Sequence, residues 1–183
     1  MARGLGSGYL SVLMDQAPAI PDTPELQRVT TQYVIKEDRI RLSGETARGD
    51  TLVLWLTQRM LGVLIPRLVR WLEQQGGDAL LQEFAQQAAE AALGAEPPVA
   101  AQTSGGCVTS IDIATGPDGV VLIFKPEGDE RGARLALTTD ALRQWLAIIR
   151  SQYLIGEWPT AVWPAWMDET QLAPPAAGGF ALH

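Results

Sequence analysis

The chain has 183 residues, 46% of them hydrophobic and 19% charged, which suffices for one domain with a full core. A net charge of −7 leaves no general attraction for a phosphate backbone, so nucleic acid is not an expected partner. One cysteine, Cys107, excludes an internal disulfide; the one histidine, His183, ends a Gly-rich tail where no scaffold is expected to fix an imidazole for a Ser-His-Asp triad, and a two-histidine metal centre lacks its second ligand.

Residues 1–29 read as an irregular N-terminal arm, because Gly4, Gly6, Gly8, Pro18, Pro21 and Pro24 punctuate them too closely for a long element. The first fourteen residues lack the apolar run of a signal peptide, and a cytoplasmic location is expected. From Thr30 to Gly44 the pattern turns to strand chemistry. Arg39 to Ser43 alternate polar and apolar, and Lys36-Glu37-Asp38 supply a short turn, so 30–44 is expected to be a hairpin.

The stretch 50–75 is the most apolar in the chain and is expected to form a core helix capped by Asp50 and stopped at Gly76-Gly77. Arg59, Gly62, Pro66, Arg70 and Glu73 would form one polar line on it. Pro66 implies a kink or a split into two helices. A membrane span is disfavoured: three arginines at roughly 3 kcal/mol each outweigh the gain from the apolar residues.

Residues 78–93 are strong helix formers and complete a helical hairpin with 50–75. Leu80, Leu81, Phe84, Ala88 and Ala91 or Ala92 share one face, with Gln82, Glu83, Gln86 and Glu90 largely opposite. After a Gly- and Pro-containing loop, strands are expected at 107–114, 120–125 and 133–137, the first two joined through Gly116-Pro117-Asp118-Gly119. A C-terminal helix at 140–155 carries Leu142, Trp145, Leu146, Ile149 and Tyr153 at helical spacing. The tail, 157–183, is rich in Trp and Pro and is expected to be extended.

These elements make an α+β domain over 30–156, an antiparallel sheet packed with a helical hairpin and a terminal helix. The two strand-to-helix passages share a loose likeness, Arg-Ile-Arg-Leu before Trp55-Leu56 and Ala-Arg-Leu-Ala-Leu before Trp145-Leu146, without a fixed period. Over about residues 30–156 the order of elements is similar to that of the globular heads of end-joining and centriole scaffold proteins, a likeness of order without a shared motif.

No catalytic, cofactor-binding or metal-binding set is found, and catalysis is not expected. Gly4, Gly6 and Gly8 lack the strand and helix a nucleotide loop needs, and the carboxylates cluster beside turns. Trp158, Trp163 and Trp166, interleaved with Pro159 and Pro164, are the strongest contact signal, with Tyr153 beside them. Two readings are open for this tail: it folds back beside the last helix, or it contacts a second molecule. The function expected is that of a non-catalytic interaction or adaptor protein that self-associates, as a homodimer or with another protein, through the tail and last helix. The alternative is a domain for a small apolar or anionic ligand, with a pocket between sheet and helix pair near Arg59, Arg67 and Trp55.

Overall fold

A computed structural model describes residues 23–101, 105–129 and 132–167, together with the backbone of 179–181. The expected arm (1–29) lies mostly outside the described residues, as does most of the tail beyond Met167.

The α+β class and the antiparallel character of the sheet are as the sequence implies. Strands β1 (Leu26–Val34), β2 (Arg39–Thr46) and β3 (Thr51–Leu56) form a meander, followed by helices α1 (Gln58–Gln74) and α2 (Ala79–Ala91). A second meander, β4 (Gly106–Thr115), β5 (Gly119–Pro126) and β6 (Ala133–Thr138), leads into α3 (Thr139–Ile155). The order across the sheet is β6-β5-β4-β3-β2-β1-β7, where β7 is the three-residue strand Gly179–Ala181 on the free edge of β1.

Two boundaries differ from expectation. The apolar stretch 50–75 is not one helix: Thr51–Leu56 is a strand, and Thr57, not Asp50, caps the helix, accepting from the Met60 N–H at 3.2 Å. A continuous apolar run fits a strand covered on both faces as well as a buried helix, and β3 is covered on both. Leu54 and Leu56 enter the main core, while Val53 and Trp55 pack with Val99 and Ala101 on the other side. Ala47 to Asp50 therefore make a hairpin turn between Thr46 and Thr51, with Gly49 at φ 83°, a conformation that favours glycine. Pro66 neither splits nor ends α1, which runs through it with Gly62 one turn back. Strand β1 also starts earlier than Thr30, at Leu26.

The two meander-helix units match each other more closely than the sequence suggests. Each ends in a Leu-x-Leu-Thr segment, Leu54 to Thr57 and Leu135 to Thr138, and each threonine caps a helix of 17 residues. In each unit the last strand meets the first strand of the other. Strands β3 and β4 pair parallel at Leu54–Gly106 and Trp55–Cys107, while β1 and β6 approach parallel at Glu25–Arg134. The Arg134 N–H donates to the Pro24 carbonyl at 2.9 Å, and its guanidinium pairs with Glu25, drawing the two ends of the sheet together. Trp55 lies in a strand and Trp145 in a helix, so the likeness around these two tryptophans is not the structural repeat.

The core lies between the sheet and α1 and α3. Leu61, Ile65, Leu68 and Leu72 of α1 meet Leu142, Trp145, Leu146 and Ile149 of α3 and the inward residues of both meanders in one cluster. Trp145 is fully buried; its ring packs edge-on to Phe124, and its indole N–H donates to Thr31 Oγ1 at 3.1 Å. No helix among the described residues is long and apolar enough to cross a membrane.

Candidate functional site

Three of the four residues singled out as a contact surface, Tyr153, Trp158 and Trp163, are gathered at one place, and Trp166 lies farther along against Arg143. Tyr153, near the end of α3, is 1% exposed, and Trp158, Trp163 and Trp166 are 6%, 6% and 8% exposed. After Gly156 the chain reverses through Glu157, whose φ is 52°, and the Trp158 N–H donates to the Tyr153 carbonyl at 2.9 Å. Trp158 and Trp163 then pack edge-on against Tyr153, with ring centroids 5.0 and 5.4 Å away, while Trp158 also meets Tyr33 at 5.5 Å. Offset and edge-on geometries let the positive ring edge face the negative ring face. Within this chain the tail folds back.

Polar tips fix the strap. Trp158 Nε1 donates to Asp38 Oδ1 at 2.9 Å, and the Tyr33 hydroxyl donates to the same oxygen at 2.9 Å. These bonds, the indole's foremost, hold the Asp38 carboxyl below its ordinary range, and the Asp38 bond raises the Tyr33 phenol. Farther along, Trp166 lies in a 3-10 turn (Ala165–Met167), donates to Glu73 Oε1 at 3.1 Å and receives the Arg143 guanidinium over its ring at 5.7 Å.

Arg143 begins the second notable arrangement, the seam between α2 and α3. It is buried, and its Nη2 donates to Gln82 Oε1 at 2.6 Å. Burial lowers the guanidinium's pKa, with Asp140 opposing. Gln82 in turn donates to the carbonyls of Gly76 at 2.8 Å and Leu72 at 3.2 Å, and Gln86 donates to Glu90 Oε1 at 2.7 Å and the Arg143 carbonyl at 3.0 Å. Gln144 Nε2 donates to the Ala89 carbonyl at 3.0 Å. The polar face of α2 is therefore the buried face.

Its apolar face points outward. Leu80, Leu81 and Phe84 are 56%, 58% and 56% exposed, and Ala88, Ala91 and Ala92 are exposed beside them. Sequence periodicity finds the two faces but cannot say which one is inside; Arg143, 61 positions after Gln82, supplies the partner that makes the glutamines the inward side.

Of the ligand-pocket residues, Arg59 lines a cleft among the described residues. With Gln58, Gly62, Tyr153, Pro159 and Val162 it encloses about 280 Å³ between the first turn of α1, the end of α3 and the strap. Arg67 lies along the exposed stripe of α1, and Trp55 is half-buried on β3 against Val99 and Ala101. Two wider depressions, of about 550 and 500 Å³, flank the short parallel contacts of the sheet, one at the Gly116–Asp118 turn and one beside Glu127 and Asp129. Among the described residues no group of three His, Cys, Asp or Glu is placed to hold a metal ion. Cys107 is a half-buried free thiol opposite Trp55.

No protein-family model matches the chain, and neither curated proteins nor solved structures give a significant match. The similarity of element order to scaffold-protein heads therefore carries no argument.

Proposed function

We propose that this chain is a non-catalytic interaction protein that pairs with a second copy of itself, with the exposed face of α2 as the contact. One observation carries the reading: a helix that buries Gln82, Gln86 and Glu90 while presenting Leu80, Leu81 and Phe84. Contiguous apolar surface of this kind, rimmed by polar residues, marks contact sites. The tail indoles, the first candidates from sequence, are already covered by their own domain. They support the contact from behind, since Trp166 and Arg143 anchor α2.

A second copy is favoured by charge. The outward face of α2 is flanked by Asp78 and Glu83, whereas the exposed stripe of α1 carries Val63, Arg67 and Arg70. A two-fold arrangement laying α2 of each copy on α1 of the other joins acid to base and apolar to apolar twice over. The single thiol and the absence of any disulfide fit a reducing cytoplasmic setting.

Sedimentation equilibrium of the full chain tests this. We expect a dimer that dissociates in Phe84→Glu, a change at an exposed site that leaves the fold intact, and that weakens in high salt. A wild-type chain that stays monomeric at high micromolar concentration, or a dimer indifferent to Phe84→Glu, would refute it.

A further inference from the structure

The cleft between α1, α3 and the strap holds unused hydrogen-bonding groups. The Tyr153 hydroxyl is buried, on a residue that lines the cleft, and has no partner among the described residues. Behind Tyr153 and outside the cleft lining, Trp163 Nε1, on a ring packed 5.4 Å from it, is likewise buried without a partner. A buried donor left unpaired is destabilising, and native interiors rarely leave one without a partner. At the mouth of the same cleft, Arg59 and Gln58 make no ion pair or side-chain hydrogen bond among the described residues.

These groups share a sign. The guanidinium can only donate, and the phenol and amide can donate, so together they ask for an acceptor. Arg59 is the only charged residue in the lining, which suits a single negative charge. It stands in the first turn of a 17-residue helix, where the peptide dipoles also favour an anion. Gly62, Pro159 and Val162 provide apolar walls, suited to a hydrocarbon body rather than a bare inorganic ion. The volume, about 280 Å³, lies near the small end of ligand pockets, roughly 300–1,000 Å³. Burial pushes the Tyr153 phenol up to about 12, so at neutral pH it keeps the proton it would donate.

From this convergence we infer that the cleft binds a small monocarboxylic acid with a short apolar body, its carboxylate held by Arg59 and reaching toward the Tyr153 hydroxyl, its hydrocarbon against Gly62 and Val162. This binding is separate from the α2 contact and does not depend on it.

The experiment is a titration of the full chain with benzoate and with hexanoate, read from the indole N–H resonances in two-dimensional NMR. Benzyl alcohol and hexan-1-ol serve as neutral isosteres, and sodium chloride is matched throughout. Saturable shifts are expected for the acids, with the Trp163 indole among those that move. Affinity should fall about tenfold or more in Tyr153→Phe and in Arg59→Gln. Tyr153→Phe removes an unpartnered group while keeping the ring, so its denaturation midpoint should equal or exceed that of the wild type. If it does not fold, the exposed Arg59→Gln carries the comparison alone. Absence of a saturable response to both acids, equal binding of the alcohols, or undiminished affinity in the folded variants overturns the inference.

Discussion

Arg143 of α3 donates to Gln82 of α2 across a buried seam, Nη2 to Oε1 at 2.6 Å, and this bond decides which way α2 faces. A guanidinium with its pKa lowered by burial needs acceptors, and Gln82 provides both its amide oxygen and, at 3.5 Å, its carbonyl. Rotating α2 to bury Leu80, Leu81 and Phe84 would withdraw both. Arg143→Ala also removes the cation from the face of Trp166. The expected loss is about 3 kcal/mol, the scale of a buried charge-assisted bond plus packing. Denaturant unfolding monitored by tryptophan fluorescence checks it. A loss below about 0.5 kcal/mol, the scale of an ordinary surface change, contradicts this account of the seam.

Glu90 gives the seam a pH dependence. Its carboxyl is 7% exposed, with Oε2 lacking a partner, and burial raises its pKa, while the Gln86 bond and the charge of Arg150 oppose the rise. A folded pKa above the unfolded one means that the native state holds the proton more tightly. The stabilising contribution is therefore complete below the ordinary carboxylate pKa of 4.5 and is lost as pH rises through the folded value. Glu90→Gln should be more stable than the wild type at pH 7, and the advantage should shrink as pH falls toward 4.5. Urea midpoints at several pH values test this; an advantage that grows with acidity would contradict it.

The matched helix starts make a paired prediction. Thr57 accepts from Met60 N at 3.2 Å and Thr138 from Ala141 N at 3.3 Å, each satisfying a donor at the opening of a 17-residue helix. Thr57→Ala and Thr138→Ala should each cost about 1 kcal/mol. Similar losses in thermal unfolding would support the equivalence of the two units, and a large cost at one site with none at the other would deny it.

The strap is testable through Asp38. Trp158→Phe keeps an aromatic ring between Tyr33 and Tyr153 but removes the indole N–H, the main cause of the lowered Asp38 pKa. Carboxyl-detected NMR should show that pKa moving up toward its ordinary value. Trp158→Ala, which also empties the packing site, should cost about 3–5 kcal/mol of stability. An Asp38 pKa unchanged in Trp158→Phe would mean that the tail does not fold back in solution.

The strands that alternate and the helices that carry an apolar stripe are legible in the chain because each is set by local periodicity and short-range turn chemistry. Gly116 to Gly119 joins β4 to β5 and the 36–38 turn joins β1 to β2, both as composition implies. The strand Thr51–Leu56 was not legible, because an apolar run covered on both faces has no period to distinguish it from a buried helix. The Tyr153 cleft was half legible: Arg59 and Tyr153 stand out individually, but 94 positions separate them, and nothing in either neighbourhood says that they meet.

By itself the sequence determined the α+β class, the net negative charge, the lack of an internal disulfide, and where most elements begin and end, since these follow from composition and from interactions a few residues apart. Tertiary structure alone decided that the two meanders pair through β3 and β4, that Trp158 and Trp163 close over Tyr153, and that α2 turns its leucines outward. The reason is common to all three: each depends on partners brought together by folding across long stretches of chain, and a buried arginine outweighs the local pattern of the helix it meets.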